Sequence, residues 1–393
     1  MKFDKAYFDA GINRYNSGCV KWDDKNACPD GALPMWIADM DFACAPAIAN
    51  AVKKRAQHPC FGYSAHDGAV EKAFCDFWKR RHGLEIQPEQ TVTLPGVVTG
   101  IRMALQIFTN PGDEIVIMTP VYGPFFFSVK DAERKLVECP LLEDENGHIT
   151  MNYTAMETAF INGAKVVILC NPHNPVGRAW KKDELEALLK LCKQYGVKII
   201  ADEIHADFVY APNHFVPMLT LDGAQDCVIS LVAPSKTFNV AGLQHAHAVC
   251  FDKGILEKLN HLLHMYGVSS GNIFALAASK AAYEDCDEWL DGLIAYLDEG
   301  HKLLRKCLQE KIPKAKMANI EATYLAWIDL RAYGFNTEEL NERCRQAGVI
   351  FNKGTFFGEM GNGFVRINFG CPHVHVEEAV KRLAKALGEE EKK

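Results

Sequence analysis

Apolar residues along this chain fall into two rhythms. Short, nearly continuous apolar runs at 115–118, 135–139, 165–170, 198–201, 227–232 and 246–250 predict strands. Between two of them, Lys182–Tyr195 has helical spacing and ends at Gly196. Apolar strands alternating with helices mean a mostly parallel sheet covered on both faces. Ahead of this region the pattern predicts a helix from Pro46 to about Gln57. Residues 67–82 place Val70, Phe74, Phe77 and Trp78 on one helical face, which reads as core. A strand at 91–94 then leads through Pro95-Gly96 into a helix ending near Phe108.

Beyond residue 250 the rhythm changes. Residues 254–310 read as largely helical, with a long connecting helix around 287–309. Strands at 324–329 and 364–369, a helix near 337–347 and a terminal helix from about Val376 suit a smaller α+β domain. Residues 1–45 are rich in Gly, Asp, Asn and Trp, show little helical periodicity, and read as an extended arm. The closing Glu-Glu-Glu-Lys-Lys reads as solvated charge. The expected division is an arm at 1–45 joining the small domain, a large domain at 46–285 and a small domain at 286–393. A length of 393 residues suits such a two-domain plan.

The totals narrow the partners. A net charge of −7, with no basic block, speaks against nucleic acid or anionic membrane as the main partner. No run approaches the roughly 18 apolar residues of a spanning helix, and the N-terminus lacks the apolar core of a signal peptide. None of the fourteen cysteines lies within eight residues of another, so zinc-ribbon and thioredoxin spacings are absent. Cys170, Cys227 and Cys250 sit in apolar surroundings as reduced thiols would, which points to a reducing cytosol. His245/His247 and His373/His375 have strand spacing but no carboxylate or cysteine cluster beside them, so no metal site is expected.

In a parallel sheet, ligands collect beyond the carboxyl ends of the strands. Asn171, Asp202, Ser235-Lys236 and Pro120-Val121-Tyr122 all fall there. A lysine that leaves water at such a turn has a lowered pKa and a free amine, suited to a Schiff base with a carbonyl cofactor. On that stretch alone, a loop lysine with its head in water is the competing reading. Asp202, at a strand end, needs a cationic partner, and a protonated pyridine nitrogen would serve and make the ring an electron sink. A turn or cap aspartate is the alternative. Two prolines and a glycine in Asn171-Pro172-His173-Asn174-Pro175-Val176-Gly177 fix a path that can aim one amide at a ring hydroxyl. Tyr122 could stack on an aromatic cofactor or simply pack in the core. The strand, glycine turn and helix start at 91–100 form an anion site by geometry, although the spacing matches neither GxGxxG nor a P-loop. Arg366 points away from the face shared by Val365, Ile367 and Phe369, and its planar guanidinium matches a carboxylate; a solvent-facing arginine is the alternative.

Taken together, the Asn-Pro-His-Asn-Pro-x-Gly loop, Asp-Glu-Ile-His after its strand, and Ser-Lys-Thr-Phe-Asn-x-Ala-Gly-Leu resemble the fold-type-I pyridoxal-phosphate (PLP) enzymes of the aminotransferase superfamily. Trp36-Ile37-Ala38-Asp39-Met40-Asp41-Phe42, Gly62-Tyr63 and Thr119-Pro120-Val121-Tyr122 bring the likeness closest to the bacterial cystathionine β-lyase/C–S lyase branch. The likeness runs from about residue 30 to the C-terminus. It implies the PLP-dependent transferase fold, with Lys236 holding PLP and then shuttling the α-proton of an amino-acid substrate. It further implies Asp202 on the pyridinium nitrogen, Asn174 on the ring hydroxyl, Tyr122 stacked on the ring, and Val98, Thr99 and Ser235 on the phosphate. Arg366 would clamp the substrate α-carboxylate. Tyr63 would reach the phosphate or substrate of the neighbouring subunit, which implies a homodimer with shared active sites.

Two positions depart from the general aminotransferase pattern. His205 stands where a tyrosine commonly donates to the ring hydroxyl, making it a ring-contact candidate. Gln244 stands where an arginine commonly holds the phosphate. Both argue for a β-eliminating C–S lyase releasing thiol, pyruvate and ammonia. The alternatives are an aminotransferase on the same fold and a PLP-binding regulatory protein with minor catalysis.

Overall fold

The computed structural model describes residues 3–64, 67–145 and 147–389. The first two residues and the final four of the charged tail lie outside the described residues. Seven strands form the central sheet: β1 (Thr91–Leu94), β2 (Glu114–Ile117), β3 (Lys135–Glu138), β4 (Val166–Cys170), β5 (Lys198–Asp202), β6 (Val228–Val232) and β7 (Ala246–Val249). Their spatial order is β1-β7-β6-β5-β4-β2-β3. β7 runs antiparallel to both of its neighbours, and the remaining pairs are parallel.

The side-chain alternation of these strands explains why both faces are covered. Val116, Val167, Leu169, Ile199 and Ala201 pack into one core, and Ile115, Ile117, Val166, Ile168 and Ile200 into the other. Every residue of β4 and β6 is buried. The helix Val97–Phe108 lies close on the second face because Gly100 has no side chain; a Cβ there would stand 2.7 Å from a Leu94 methyl. The helix Lys182–Tyr195 starts where Glu184 accepts from the Lys181 amide at 2.8 Å and stops at Gly196, whose φ is 69°.

A second, antiparallel sheet orders Lys316–Met317, Leu325–Asp329, Phe364–Asn368 and Asn352–Lys353. The helices Asp287–Lys311 and His373–Leu387 pack against one another in the same part of the molecule. The terminal helix begins at His373, ahead of Val376, because Pro372 precedes the first turn and its fixed φ suits a helix entry. His373 and His375 are therefore helical and do not share a strand face. Among the described residues no cluster suited to a metal ion occurs, and no helix is long and apolar enough to cross a membrane. All fourteen cysteines are free.

The first 45 residues are less extended than their pattern suggests. Lys5–Asp9 and Val20–Asp23 are short helices, the first capped by Asp4. Leu33–Pro34 then pairs in parallel with Val349–Ile350 beside the second sheet. From there the chain crosses toward the central sheet as the segment 36–42. Asn239 holds this segment: its amide nitrogen donates to the carbonyls of Met40 and Phe42, and its oxygen accepts from the Met40 amide, each at 2.9 Å. Asn239 adopts φ 57°, a left-handed conformation that asparagine tolerates better than most residues.

Candidate active site

Strand ends and helix starts surround one cavity of about 320 Å³ at the carboxyl edge of the central sheet. Gly96, Val97, Val98 and Thr99 come from the start of the Val97–Phe108 helix, where first-turn amides have no intrahelical acceptor. Asn174 follows β4, Asp202 ends β5 with His205 just beyond, and Ser235 and Lys236 follow β6. Tyr122 closes one side, while Ala38, Gln244 and His245 complete the wall. A larger cleft of about 860 Å³ beside the hairpin of Leu142–Glu143 and Ile149–Thr150 is touched by Pro120 but by none of the residues given a cofactor or substrate role.

The cavity charges are held away from their ordinary states. Burial and, after it, the nearby Arg366 charge lower the Lys236 amine to about 8 against the opposing charges of Asp39 and Asp202. Its Nζ donates to the Ala38 carbonyl at 2.6 Å. Asp202 is 3% exposed, and burial pushes its carboxyl up to about 7 against the Ile204 hydrogen bond and the Lys236 charge. The Ile204 amide, at 3.2 Å, donates to Oδ1. Among the described residues Asp202 forms no ion pair. Burial, with the charges of Lys236 and Arg366, keeps the His205 imidazole neutral. Its Nδ1 has no hydrogen-bond partner among the described residues. Burial raises the Tyr122 phenol to about 12.

Arg366 stands beside the cavity wall. It is 2% exposed and donates to Asn174 Oδ1 at 3.2 Å, Asn352 Oδ1 at 2.8 Å and the Trp36 carbonyl. The guanidinium also lies 4.9 Å from the centre of the Phe357 ring. Every one of these partners is neutral, and burial lowers its pKa to about 10. A buried guanidinium without a carboxylate of its own is suited to receive one.

Lys236, Asp202, Asn174, Tyr122, Val98, Thr99, Ser235 and His205 thus meet in one cavity, with Arg366 joined to it through Asn174. Tyr63 does not meet them within its own chain. It is 99% exposed in the irregular segment after the Pro46–Gln57 helix. The structure adds four groups that the residue pattern did not single out. The Ala38 carbonyl receives both Lys236 and, at 2.9 Å, the hydroxyl of buried Tyr324. Asn352 and Phe357 flank the Arg366 guanidinium. The motif 36–42 was the available signal for Ala38, but a main-chain carbonyl leaves no mark in residue type.

A lysine just beyond a strand end, a buried aspartate and a helix N-terminus lining one cavity point to a lysine-centred α/β enzyme fold of the aminotransferase type. Residues 34–383 match the family described as aminotransferase class I and II, and the chain belongs to that family. It is 38% identical to cystathionine beta-lyase PatB of Bacillus subtilis (strain 168), with 97% of this chain and 99% of the relative covered. It is also similar to the structure of cystalysin from Treponema denticola, which contains pyridoxal 5'-phosphate. There the TM-score is 0.92 and the identity 32%, over 96% of this chain and 98% of that one. The PLP-bound C–S lyase from Staphylococcus hominis superposes with a TM-score of 0.90 at 28% identity, over 97% of each chain.

The cavity suits such a cofactor on its own chemistry. It offers a pKa-lowered amine for an aldehyde, a buried acid without an ion partner for a ring cation, and first-turn amides for a phosphate.

Proposed function

We propose that this chain is a PLP-dependent C–S β-lyase. It cleaves L-cystathionine or related S-substituted L-cysteines, and water completes the balance to a thiol (homocysteine from cystathionine), pyruvate and ammonia. The reading is carried by a lowered lysine and a raised aspartate meeting in one cavity, beside an arginine that has no carboxylate of its own. His205 and Gln244 at the two departing positions, and the relatives named above, favour elimination over transamination.

Each residue then has a task. Lys236 would hold the cofactor aldehyde through Nζ, and the same nitrogen would take the substrate's α-proton. Asp202 holds a proton on the ring nitrogen, Asn174 and neutral His205 face the ring hydroxyl, and Tyr122 covers one ring face. Val98 and Thr99 amides with the Ser235 hydroxyl hold the phosphate. Arg366 clamps the α-carboxylate, which aims the Cα–H bond at Lys236. When bound, PLP supplies an electron sink for the pair released at Cα, and the thiolate departs from Cβ. Tyr63 completes the site of a neighbouring subunit, so the working form is a homodimer with shared sites. The proposal keeps the arm 1–45, large domain 46–285 and small domain 286–393, and places the enzyme in the cytoplasm.

The test is turnover of L-cystathionine by purified protein with PLP and without any 2-oxo acid, following pyruvate, thiol and visible absorbance together. Equal amounts of pyruvate and thiol are expected. A single spectral change that stops, and recovers on adding a 2-oxo acid, would instead make the chain an aminotransferase.

A further inference from the structure

Behind the cavity, a second set of side chains ties the two active-site turns together. Asp207 lies five residues after Asp202, on the turn that also presents His205. Its Oδ2 accepts from the hydroxyl of Thr237, the residue after Lys236, at 2.7 Å. Its Oδ1 faces His82 Nε2 at 2.9 Å, in the last turn of the Ala69–His82 helix. Both side chains of that pair are 7% exposed. His82 cannot drift, because its ring packs 4.6 Å from Trp78 and 5.2 Å from Phe215.

Burial alone would raise the Asp207 carboxyl, yet His82, the Thr237 hydroxyl and nearby Arg81 hold it below its usual value. Asp207 is therefore an acceptor on both oxygens, which places a proton on His82 Nε2 and turns the Thr237 hydroxyl toward it. None of His82, Asp207 and Thr237 lines the cavity. Their common effect is mechanical: one carboxylate links the turn of Asp202 and His205 to the four-residue helix Pro234–Thr237 that carries Lys236.

We propose that Asp207, oriented by His82 and acting through Thr237, is a positioning residue for the Lys236 amine. The inference rests on Lys236 as the cofactor-bearing base. Proton transfer at Cα needs hydrogen-bond reach, and a misplacement of about 1 Å can cost 10²-fold in rate. Holding the Lys236 backbone relative to Asp202 fixes the anchor from which Nζ reaches, so that its bond to the Ala38 carbonyl sets the amine in one place.

The test compares Asp207→Asn, Thr237→Val and Thr237→Ser in the PLP-loaded protein. It reads the pH midpoint of the visible absorbance of lysine-bound PLP, the PLP dissociation constant of the apoprotein, kcat, KM and Tm. Asp207→Asn and Thr237→Val are expected to lower kcat roughly 10- to 100-fold. KM should hold within about threefold, and the absorbance midpoint should move by about half a unit or more. Thr237→Ser, which keeps the hydroxyl, should behave as wild type. A fall in Tm with kcat and midpoint unchanged would make the network merely structural and overturn the proposal. Wild-type protein with no band of lysine-bound PLP would remove the reading of Lys236 itself, and a band present but unmoved in the variants would remove only the bracing.

Discussion

Two groups of charges meet at the segment 36–42, and they are built on opposite plans. On the arm side, Lys21 is 1% and Asp41 2% exposed, and they meet at 3.0 Å. Arg14 reaches Asp41 at 2.9 Å and Asp39 at 2.7 Å, and Trp22 Nε1 donates to Asp41 at 2.9 Å. On the cavity side, Lys236 rests on a carbonyl, Asp202 on one amide and Arg366 on three neutral oxygens; among the described residues none has an ion partner. Burying a charge is costly unless another charge or several hydrogen bonds answer it. The arm meets that requirement within the chain. The cavity leaves it to a ligand, and shifted pKa values gather there for that reason.

The sharpest way to break this contrast is to remove the cavity's amine. Lys236→Ala is expected to lower kcat by more than about 10³-fold, since both covalent attachment and proton transfer are lost. The fold should persist, checked by circular dichroism and Tm. Elimination retained within tenfold of wild type would end the role given to Lys236.

Asp202 offers a test of opposite sign. In the PLP-free protein its folded pKa is about 7, against about 3.9 in an unfolded chain, so the folded state holds the proton longer. Stability from this group is unpenalised below about pH 4 and declines as pH rises toward 7. Asp202→Asn should therefore stabilise the PLP-free protein at pH 8, by on the order of 4 kcal/mol at most, and leave it unchanged at pH 4. The same variant should bind PLP more weakly. A variant less stable than wild type at pH 8 would show that Asp202 already has an internal partner.

The contrast also explains what could be read from residues alone. The strands announced themselves because both of their faces are apolar, as in Val166–Cys170, and chemistry placed at their carboxyl ends could be found by position. Lys236, Asp202 and Asn174 were legible for that reason, and Arg366 because it alternates with Val365 and Ile367 within its own strand. The arm was not, because Arg14, Lys21, Asp39 and Asp41 have no common period and meet only when the segment 36–42 crosses the molecule. Lys5–Asp9 and Val20–Asp23, of five and four residues, are too short to show helical spacing. Tyr324 stood out only as the start of the strand expected at 324–329, and its bond to the Ala38 carbonyl is what connects it to Lys236. The exposure of Tyr63 was legible only through the resemblance, which has it reach a neighbouring subunit, since a tyrosine after Gly62 carries by itself no sign of which way it faces.

The smallest expected effect belongs to the arm, and it sharpens the comparison most. Lys21→Met removes the buried ammonium while keeping a flexible chain of similar length. Asp41 keeps a charge partner after this change, because Arg14 and the Trp22 indole still reach its Oδ1, each at 2.9 Å, while Oδ2 loses the lysine. The charge-assisted contact is lost and Oδ2 is left short of a donor, but the cost of burying the lysine goes too, so a loss of about 1–3 kcal/mol is expected. Urea denaturation would read that loss, and kcat per folded molecule should stay within about twofold, because a well-compensated pair contributes to holding the chain and not to the reaction. A tenfold fall in kcat at unchanged stability would mean that the arm's charges act on the cavity through 36–42. The division between charges that hold the fold and charges that await a ligand would then fail at the segment that joins them.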